Sequence, residues 1–229
     1  MIDLSADLGE GTPGEEAIWP LINAANVACG GHYGDEATMA AAAELASRYG
    51  VRLGAHPSYP DREHFGRRSM NMSDEALTES VAGQIAALQA IADIQHVKPH
   101  GALYNDAHHD STVARAIIDA IRRVDPRLAV VCSTRSQLAA IARQHELMVI
   151  GEAFADRRYE SDGTLTPRSL DGALLSVAEA AKQAERLARE RSVIARDGSV
   201  VLVEFLTICI HADMESAAER LLAIRKRLA

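Results

Sequence analysis

The chain contains 229 residues, which is enough for one domain with a sizeable hydrophobic core. Its formal net charge of −8 at pH 7 argues against a general nucleic-acid-binding protein, because such proteins present a basic face. Hydrophobic residues make up 48% of the chain, which is too many for a disordered protein. The three cysteines, Cys29, Cys132 and Cys209, form no C-x-x-C pair, so the sequence predicts neither a zinc knuckle nor a redox pair and fits a reducing compartment.

The N-terminal segment carries carboxylates at Asp3, Asp7 and Glu10 in place of a basic stretch followed by an apolar one. We therefore expect no signal peptide. The longest apolar runs are far too short to span a bilayer. Together these features predict a cytoplasmic protein that binds neither membranes nor nucleic acid.

Short apolar runs alternate with longer helical patterns along the chain. The runs that predict buried strands are Met1–Ala6, Asn26–Cys29, Val51–Ala55, His96–Pro99, Leu128–Cys132, Leu147–Gly151 and Val200–Ile210. The patterns that predict helices are Asp35–Tyr49, Ser73–Ile94, Asp110–Val124, Thr134–His145, Gly172–Arg191 and Asp213–Leu228. Irregular structure is predicted for Gly54–Met72, Gly101–His109 and Gly151–Asp171.

Repeated strand–helix units predict a parallel sheet with helices outside it. Two architectures fit this pattern, a closed or nearly closed β/α barrel and a doubly wound open sheet. No low-complexity linker and no internal repeat interrupts the sequence. We therefore predict a single domain over residues 1–229.

Polar residues follow most of the predicted strands. In a parallel β/α protein the C-terminal strand ends lie on one face, which carries the active site. We therefore expect residues that are far apart in sequence to meet at one mouth. These residues are Asp7, Glu10, His32, Asp35, His56, Asp61, Lys98, His100, Tyr104, Asn105, Glu152, Asp156, Arg157 and His211.

Lys98 is one of only three lysines, and it precedes a proline, which favours an extended backbone. A lysine at a barrel mouth can hold a carboxylate or phosphate, or act with a lowered pKa. The alternative is a structural salt bridge to Asp7 or Glu152. Arg67 follows a glycine in a long loop, where it can bind an anion or form a surface ion pair.

The sequence contains no P-loop, no G-x-G-x-x-G after a strand and no G-x-S-x-G elbow. Cys29 and Cys209 lie within strand-like runs, where we expect them to pack as small apolar side chains. A divalent metal ion is a further hypothesis, with Asp7, His32, His56 and His100 as its ligands. This hypothesis predicts a metal-dependent amide or ester hydrolase. A third alternative is a ligand-binding subunit without turnover of its own.

Several blocks of the sequence together resemble the LamB/YcsF family from residue 2 to about residue 213. They are the segments 2–11, 25–35, 54–61, 65–68, 96–105 and 152–159, which include VACGGHYGD, GAHPSYPD and VKPHGALYN. The resemblance implies a deformed seven-stranded parallel β/α barrel of the glycoside hydrolase/deacetylase type. It also implies the A subunit of an ATP-dependent 5-oxoprolinase, which opens the lactam of 5-oxo-L-proline to L-glutamate with hydrolysis of ATP to ADP and phosphate, beside separate subunits B and C.

This chemistry assigns roles to the residues at the predicted mouth. Lys98 and Arg67 would stabilise phosphate or substrate carboxylate charge, while Asp7, His56 and His100 would transfer protons or position water. The other expected site residues are Asp156 and His211, which would orient these groups, and Glu10, His32, Asp35, Asp61, Tyr104, Asn105, Glu152 and Arg157, which would bind substrate or phosphate.

The chain departs from the family pattern in its first and last predicted strands. Ser5 and Ala6 stand where Asn-Cys is usual, Leu206 stands where an acid is usual, and Ala212 replaces a glycine. Because the first and last strands adjoin in a barrel, we expect these changes to be coupled and to bear on the substrate more than on the fold.

Overall fold

A computed structural model of the chain describes residues 2–213 and 216–228. Met1, the first residue of a predicted strand, and residues 214–215 of a predicted helix lie outside the described residues. No helix within the described ranges is long and apolar enough to cross a membrane.

Nine strands and seven α-helices follow one another along the described chain. They are β1 (Asp3–Leu8), β2 (Ala24–Ala28), α1 (Glu36–Tyr49), β3 (Arg52–His56), α2 (Asp74–Gln89), β4 (His96–Val97), α3 (Gly101–His109), α4 (Ser111–Val124), β5 (Ala129–Cys132), α5 (Gln137–Gln144), β6 (Val149–Phe154), α6 (Val177–Glu190), β7 (Ser192–Ile194), β8 (Val200–Leu202), β9 (Thr207–His211) and α7 (Ala217–Leu228). Two short 3-10 turns, Glu15–Ala17 and Trp19–Leu21, link β1 to β2.

Seven of the strands form a closed barrel in the order β1-β2-β3-β4-β5-β6-β9. All seven pairings are parallel, and β9 closes the barrel between β6 and β1. The predicted α/β barrel with helices outside it is therefore confirmed, and the doubly wound open sheet is excluded.

Local sequence explains where the first two long helices begin and end. Asp35 caps α1 by accepting a hydrogen bond from the Thr38 amide, and Gly50 ends this helix with a left-handed φ of 65°. Ser73 caps α2 by accepting a hydrogen bond from the Ala76 amide. Both helices begin within one residue of the predicted ranges Asp35–Tyr49 and Ser73–Ile94.

Two predicted segments are wrong. Val200–Ile210 is not one strand, because β8 pairs antiparallel with β7 in a separate hairpin and only β9 joins the barrel. Val200 and Leu202 are exposed while Val201 is buried, an alternation typical of a two-stranded ribbon with one face exposed to solvent. Gly101–His109 is helix α3 and not irregular structure; its polar and histidine-rich sequence obscures a buried face at Ala102, Leu103 and Ala107.

The inside of the barrel is more polar than its outer wall. Leu4, Ala6 and Leu8 of β1 belong to the apolar layer beneath the helices. Between them, Ser5 hydrogen-bonds Thr207 of β9 through the two hydroxyl groups, which are 3.0 Å apart, and the Asp7 carboxylate is buried. The helix-facing layer therefore supplies the hydrophobic burial, and the barrel interior is left to polar groups.

We expect Gly54→Ala to lower the free energy of unfolding by about 1–3 kcal/mol, because an added Cβ would lie 2.2 Å from the buried His96 ring. Gly83→Ala is the matched control. Apart from the neighbouring backbone of its own helix, no atom of the described residues lies within 4 Å of an added Cβ at Gly83, so this helical site should gain about 0.5–1 kcal/mol. Urea unfolding of both variants measures the difference, and equal stabilities would contradict this account of Gly54.

Candidate active site

A cavity of about 630 Å³ opens at the C-terminal ends of the barrel strands. Its volume lies within the range of small-molecule sites. Eleven of the fifteen predicted site residues line it: Asp7, Glu10, His56, Arg67, Lys98, His100, Tyr104, Asn105, Glu152, Arg157 and His211. The closed parallel barrel thus brings together strand ends that are more than 200 residues apart in sequence.

Lys98 lies at the base of this cavity between two carboxylates. Its Nζ is 2.8 Å from Asp7 Oδ1 and 3.2 Å from Glu152 Oε2, and all three side chains are buried. The third neighbour is Cys209, whose Sγ lies 3.0 Å from Nζ. The salt bridge predicted as the alternative for Lys98 therefore exists, and it involves both candidate partners. Cys209 contacts a charged group, contrary to the expectation of purely apolar packing.

Two residues that the sequence did not single out hold Asp7 in place. The Asn26 amide donates to Asp7 Oδ1 over 2.8 Å, and Asn26 Oδ1 lies 2.8 Å from His96 Nε2. Burial lowers the pKa of His96 to about 3, so its imidazole is neutral and donates its Nε2 proton to Asn26. Only the spatial register of β2 against β1, which sets Asn26 opposite Asp7, could have revealed this support.

A second cluster joins one carboxylate to three histidines. The ligand atoms of Glu10, His32, His56 and His100 lie within 4.8 Å of one another, and all four residues are buried. Glu10 Oε1 is 3.0 Å from His32 Nε2, 3.3 Å from His100 Nδ1 and 3.8 Å from His56 Nε2. The cluster contains Glu10 where the sequence suggested Asp7, because Asp7 is paired with Lys98.

Backbone carbonyls fix the tautomers of two of these histidines. His56 Nδ1 lies 2.7 Å from the Lys98 carbonyl, and His100 Nε2 lies 3.0 Å from the Phe65 carbonyl, so each nitrogen donates its proton outward. The lone pairs of His56 Nε2 and His100 Nδ1 then face each other over 3.0 Å, next to Glu10. These acceptors need a proton or a cation between them, and the outward hydrogen bonds resemble those of metal-binding histidines.

The loop after β3 closes over this cluster. Phe65 and Gly66 both have left-handed backbones, with φ values of 55° and 64°. A Cβ at Gly66 would lie 3.0 Å from the Cβ of His32 and 3.1 Å from the His100 ring. The unusual Phe65 conformation therefore directs its carbonyl to His100 and keeps the backbone close to both imidazoles.

The buried carboxylates of the two clusters differ in how readily they bind a proton. Burial opposes ionisation of Asp7, but attraction to His56 and Lys98 is stronger and holds the pKa of Asp7 well below its usual range. Burial and the nearby Asp7 charge raise the pKa of Glu10 well above its usual range. Burial also raises the pKa of Glu152, against the attraction of Lys98. Asp7 is thus the ionised partner of Lys98, and burial makes Glu10 and Glu152 easier to protonate than an exposed carboxylate.

His211 and Asp156 form a pair beside the cavity. The Asp156 carboxylate accepts hydrogen bonds from the His211 amide over 2.8 Å and from His211 Nδ1 over 3.0 Å. Asp156 is fully buried and lies behind His211, so it orients this ring without lining the cavity.

Three other predicted site residues lie outside the cavity lining. Asp35 is the exposed N-terminal cap of α1. Asp61 accepts hydrogen bonds from the His64 amide and from His64 Nδ1. His32 is buried beneath the lining, stacked on the His100 ring with centroids 3.7 Å apart. A position directly after a strand therefore does not distinguish a residue that faces the cavity from one that caps a helix or holds a loop in shape.

Neither Cys29 nor Cys209 is activated as a nucleophile. Burial raises the pKa of the Cys29 thiol to about 12 and that of Cys209 well above its usual range. Both therefore remain thiols at neutral pH, and thiolate chemistry is not supported. Two of the departures from the family pattern differ in their surroundings: Ser5 lies in register with Cys209 of β9, whereas Leu206 is 63% exposed.

A solved structure of low sequence identity has the same barrel fold. The barrel superposes on a putative cellobiose-phosphate cleavage protein from Enterococcus faecalis V583 with a TM-score of 0.58 and 11% identity, covering 98% of this chain and 94% of that one. This likeness shows the fold alone.

Two further comparisons show the family to which the chain belongs. The LamB/YcsF family model matches residues 2–229. The crystal structure of the Lactam Utilization Protein from Thermus thermophilus is 40% identical, with a TM-score of 0.93, and the match covers 99% of this chain and 95% of that one. The chain belongs to the LamB/YcsF family, as the sequence blocks indicated.

We expect the Glu10–His32–His56–His100 cluster to take up one divalent ion per chain when chelator-treated protein is titrated with Zn²⁺, since the donor set and its outward hydrogen bonds suit that ion. Isothermal titration calorimetry should show loss of this binding in His56→Ala. His145→Ala, at the end of α5 and outside the cluster, is the control. Undiminished Zn²⁺ affinity in His56→Ala would contradict the assignment.

Proposed function

We propose that the chain is the A subunit of an ATP-dependent 5-oxoprolinase, which opens the lactam of 5-oxo-L-proline to L-glutamate while ATP is hydrolysed to ADP and phosphate. Subunits B and C are its proposed partners. The lactam substrate class is supported by the 40% identity to the Thermus Lactam Utilization Protein over nearly the whole chain. The observation that carries the chemistry is the buried Lys98 between Asp7 and Glu152 beneath an open cavity.

The proposed reaction begins with transfer of the γ-phosphoryl group of ATP to the lactam oxygen, which releases ADP. The lactam carbon becomes a better electrophile, water adds to it, the C–N bond breaks, and hydrolytic loss of phosphate leaves the new carboxylate. Lys98 is the proposed group that stabilises negative charge on the lactam or phosphoryl oxygens. Its ammonium has little freedom to move, because Asp7, Glu152 and Cys209 surround it.

Asp7 is the proposed group that positions the attacking water. Its carboxylate stays ionised at neutral pH, because attraction to His56 and Lys98 outweighs burial and holds its pKa low, which makes it a hydrogen-bond acceptor but a weak base. His56, whose Nε2 lies 3.5 Å from Asp7 Oδ2, is the proposed acceptor of the proton from that water. The described chain shows no P-loop sequence, so we propose that nucleotide binding depends on the partner subunits.

A divalent ion is a proposed cofactor of the same site. Glu10, His32, His56 and His100 would hold it, and it would supply Lewis-acid activation of an oxygen when bound. The same cluster favours a second candidate function, a metal-dependent amide or ester hydrolase of the deacetylase type that needs no ATP. A ligand-binding subunit without turnover remains the non-enzymatic alternative.

The test is glutamate release from 5-oxo-L-proline with ATP, measured for the chain alone and with its B and C subunits. Release by the complete mixture supports the proposal. Amide or ester hydrolysis by the chain alone, independent of ATP and abolished by a chelator, would favour the metal-dependent hydrolase. Saturable binding of 5-oxo-L-proline without turnover in any mixture would favour the ligand-binding subunit.

We expect Lys98→Met to reduce glutamate release by about 100-fold or more, because it removes the cation at the reacting oxygens. Lys182→Met is the matched control, since Lys182 is exposed on α6 outside this cavity. Its activity should equal that of the unmodified chain.

Loss of folding needs separate control, because Lys98→Met leaves two buried carboxylates without a cation and destabilises the fold by about 3–5 kcal/mol. Adding Glu152→Gln removes one of these charges. The double variant should regain stability in urea unfolding while remaining inactive. Recovery of activity along with stability would show that Lys98 has a structural role only.

A further inference from the structure

The cavity rim carries three arginines from separate segments of the chain. Arg67 follows the Phe65–Gly66 turn, and Arg157 and Arg168 belong to the long segment between β6 and α6. Arg168 was not singled out in the sequence, because it lies in irregular structure away from any strand end. Only the fold shows that it faces the same cavity as Arg67.

One carboxylate is shared between two of these arginines. Arg168 Nη1 lies 2.8 Å from Asp213 Oδ2, and Nη2 lies 3.4 Å from Oδ1, so the contact is made through both oxygens. Arg67 also donates to Asp213 Oδ2. Two guanidinium groups that converge on one carboxylate form a site that can bind an oxyanion. In this structure the side chain of Asp213 fills that site.

The third arginine has unused binding capacity. Arg157 is buried and donates from Nη2 to the Thr166 carbonyl over 2.7 Å, while its Nε has no partner within the described chain. Its neighbour in sequence, Asp156, is already paired with His211. Burial, followed by repulsion from Arg168, lowers the pKa of Arg157 to about 10, which leaves it charged at neutral pH. Asp213 therefore balances only part of the positive charge at this rim.

The base of the cavity offers a ligand no uncompensated positive charge. Lys98 is already paired there with Asp7 and Glu152, and Glu10 lies beside the histidines. A carboxylate-bearing ligand would therefore be attracted more strongly to the rim than to the base. This charge separation favours one orientation, in which the ligand's carboxylate lies at the arginines and its ring points toward Lys98.

We propose that Arg67, Arg157 and Arg168 form the subsite for the substrate's carboxylate, and that Asp213 occupies this subsite until the substrate displaces it. The substrate class is a small ring that bears a carboxylate beside the reacting bond. This inference rests on the proposed function for the identity of the ring, but the subsite is recognisable by its anion binding alone. Asp213 acts as an internal competitor, so its removal should strengthen ligand binding.

The test measures binding of three ligands to the full chain by isothermal titration calorimetry without ATP. They are 5-oxo-L-proline, 2-pyrrolidinone, which has the lactam without the carboxylate, and cyclopentanecarboxylate, which has the carboxylate without the lactam. We expect both carboxylates to bind and 2-pyrrolidinone to bind at least about tenfold more weakly, as for loss of a charged hydrogen bond.

Two variants at the rim should change affinity in opposite directions. Arg168→Gln should weaken cyclopentanecarboxylate binding by about tenfold, because one charged donor is lost. Asp213→Asn should strengthen it by about threefold or more, because the internal competitor is removed. Arg135→Gln is the control for net charge, since Arg135 lines the same cavity but donates to the Asp162 and Leu202 carbonyls.

Three results would overturn the inference. Weaker binding in Asp213→Asn would show that Asp213 is a structural brace, and an equal loss in Arg135→Gln would show general attraction in place of a site. Tighter binding of inorganic phosphate than of both carboxylates would assign the rim to a phosphoryl group. If cyclopentanecarboxylate shows the expected pattern but no mixture releases glutamate, the subsite stands and the proposed 5-oxoprolinase function fails.

Discussion

The ion pair network of Lys98 with Asp7 and Glu152 is the constraint around which the barrel interior is built. Three strands meet there, because Asp7 belongs to β1, Glu152 to β6, and Lys98 directly follows β4. Buried charges are costly unless they are paired and hydrogen-bonded. The network therefore restricts what its neighbours can be, and Asn26 with His96 fills the remaining hydrogen-bonding needs of Asp7.

Much of the site could be predicted because a parallel barrel gathers the C-terminal strand ends on one face. That rule suffices to place His56, Lys98 and His211 at one mouth, although they come from opposite sides of the barrel. It cannot decide which carboxylate joins the histidines. Asp7 and Glu10 are three residues apart, and the choice depends on the Lys98 ammonium, which pairs with Asp7 and leaves Glu10 to His32.

The errors have a common physical cause, since each depends on contacts that periodicity does not encode. Val200–Ile210 is apolar at nine of its eleven positions, yet Leu202 is exposed in a hairpin while Ile208 is buried in the barrel wall. Arg168 lies in a segment without regular structure, so no pattern marks it as a cavity residue. Tertiary pairing, and not local propensity, determines both outcomes.

The polar interior and the charged rim give the two ends of the cavity different charge. The apolar layer beneath the helices carries the packing, so charged residues inside the barrel are held by each other and not by a close-packed core. At the base the Lys98 ammonium is balanced by carboxylates, whereas the rim has excess positive charge around Asp213. Because only the rim has uncompensated positive charge to attract a carboxylate, orientation follows from electrostatics before any contact with the reacting atoms is made. A ring with a carboxylate on one side and a carbonyl on the other matches this field, whereas a neutral ring of the same size does not.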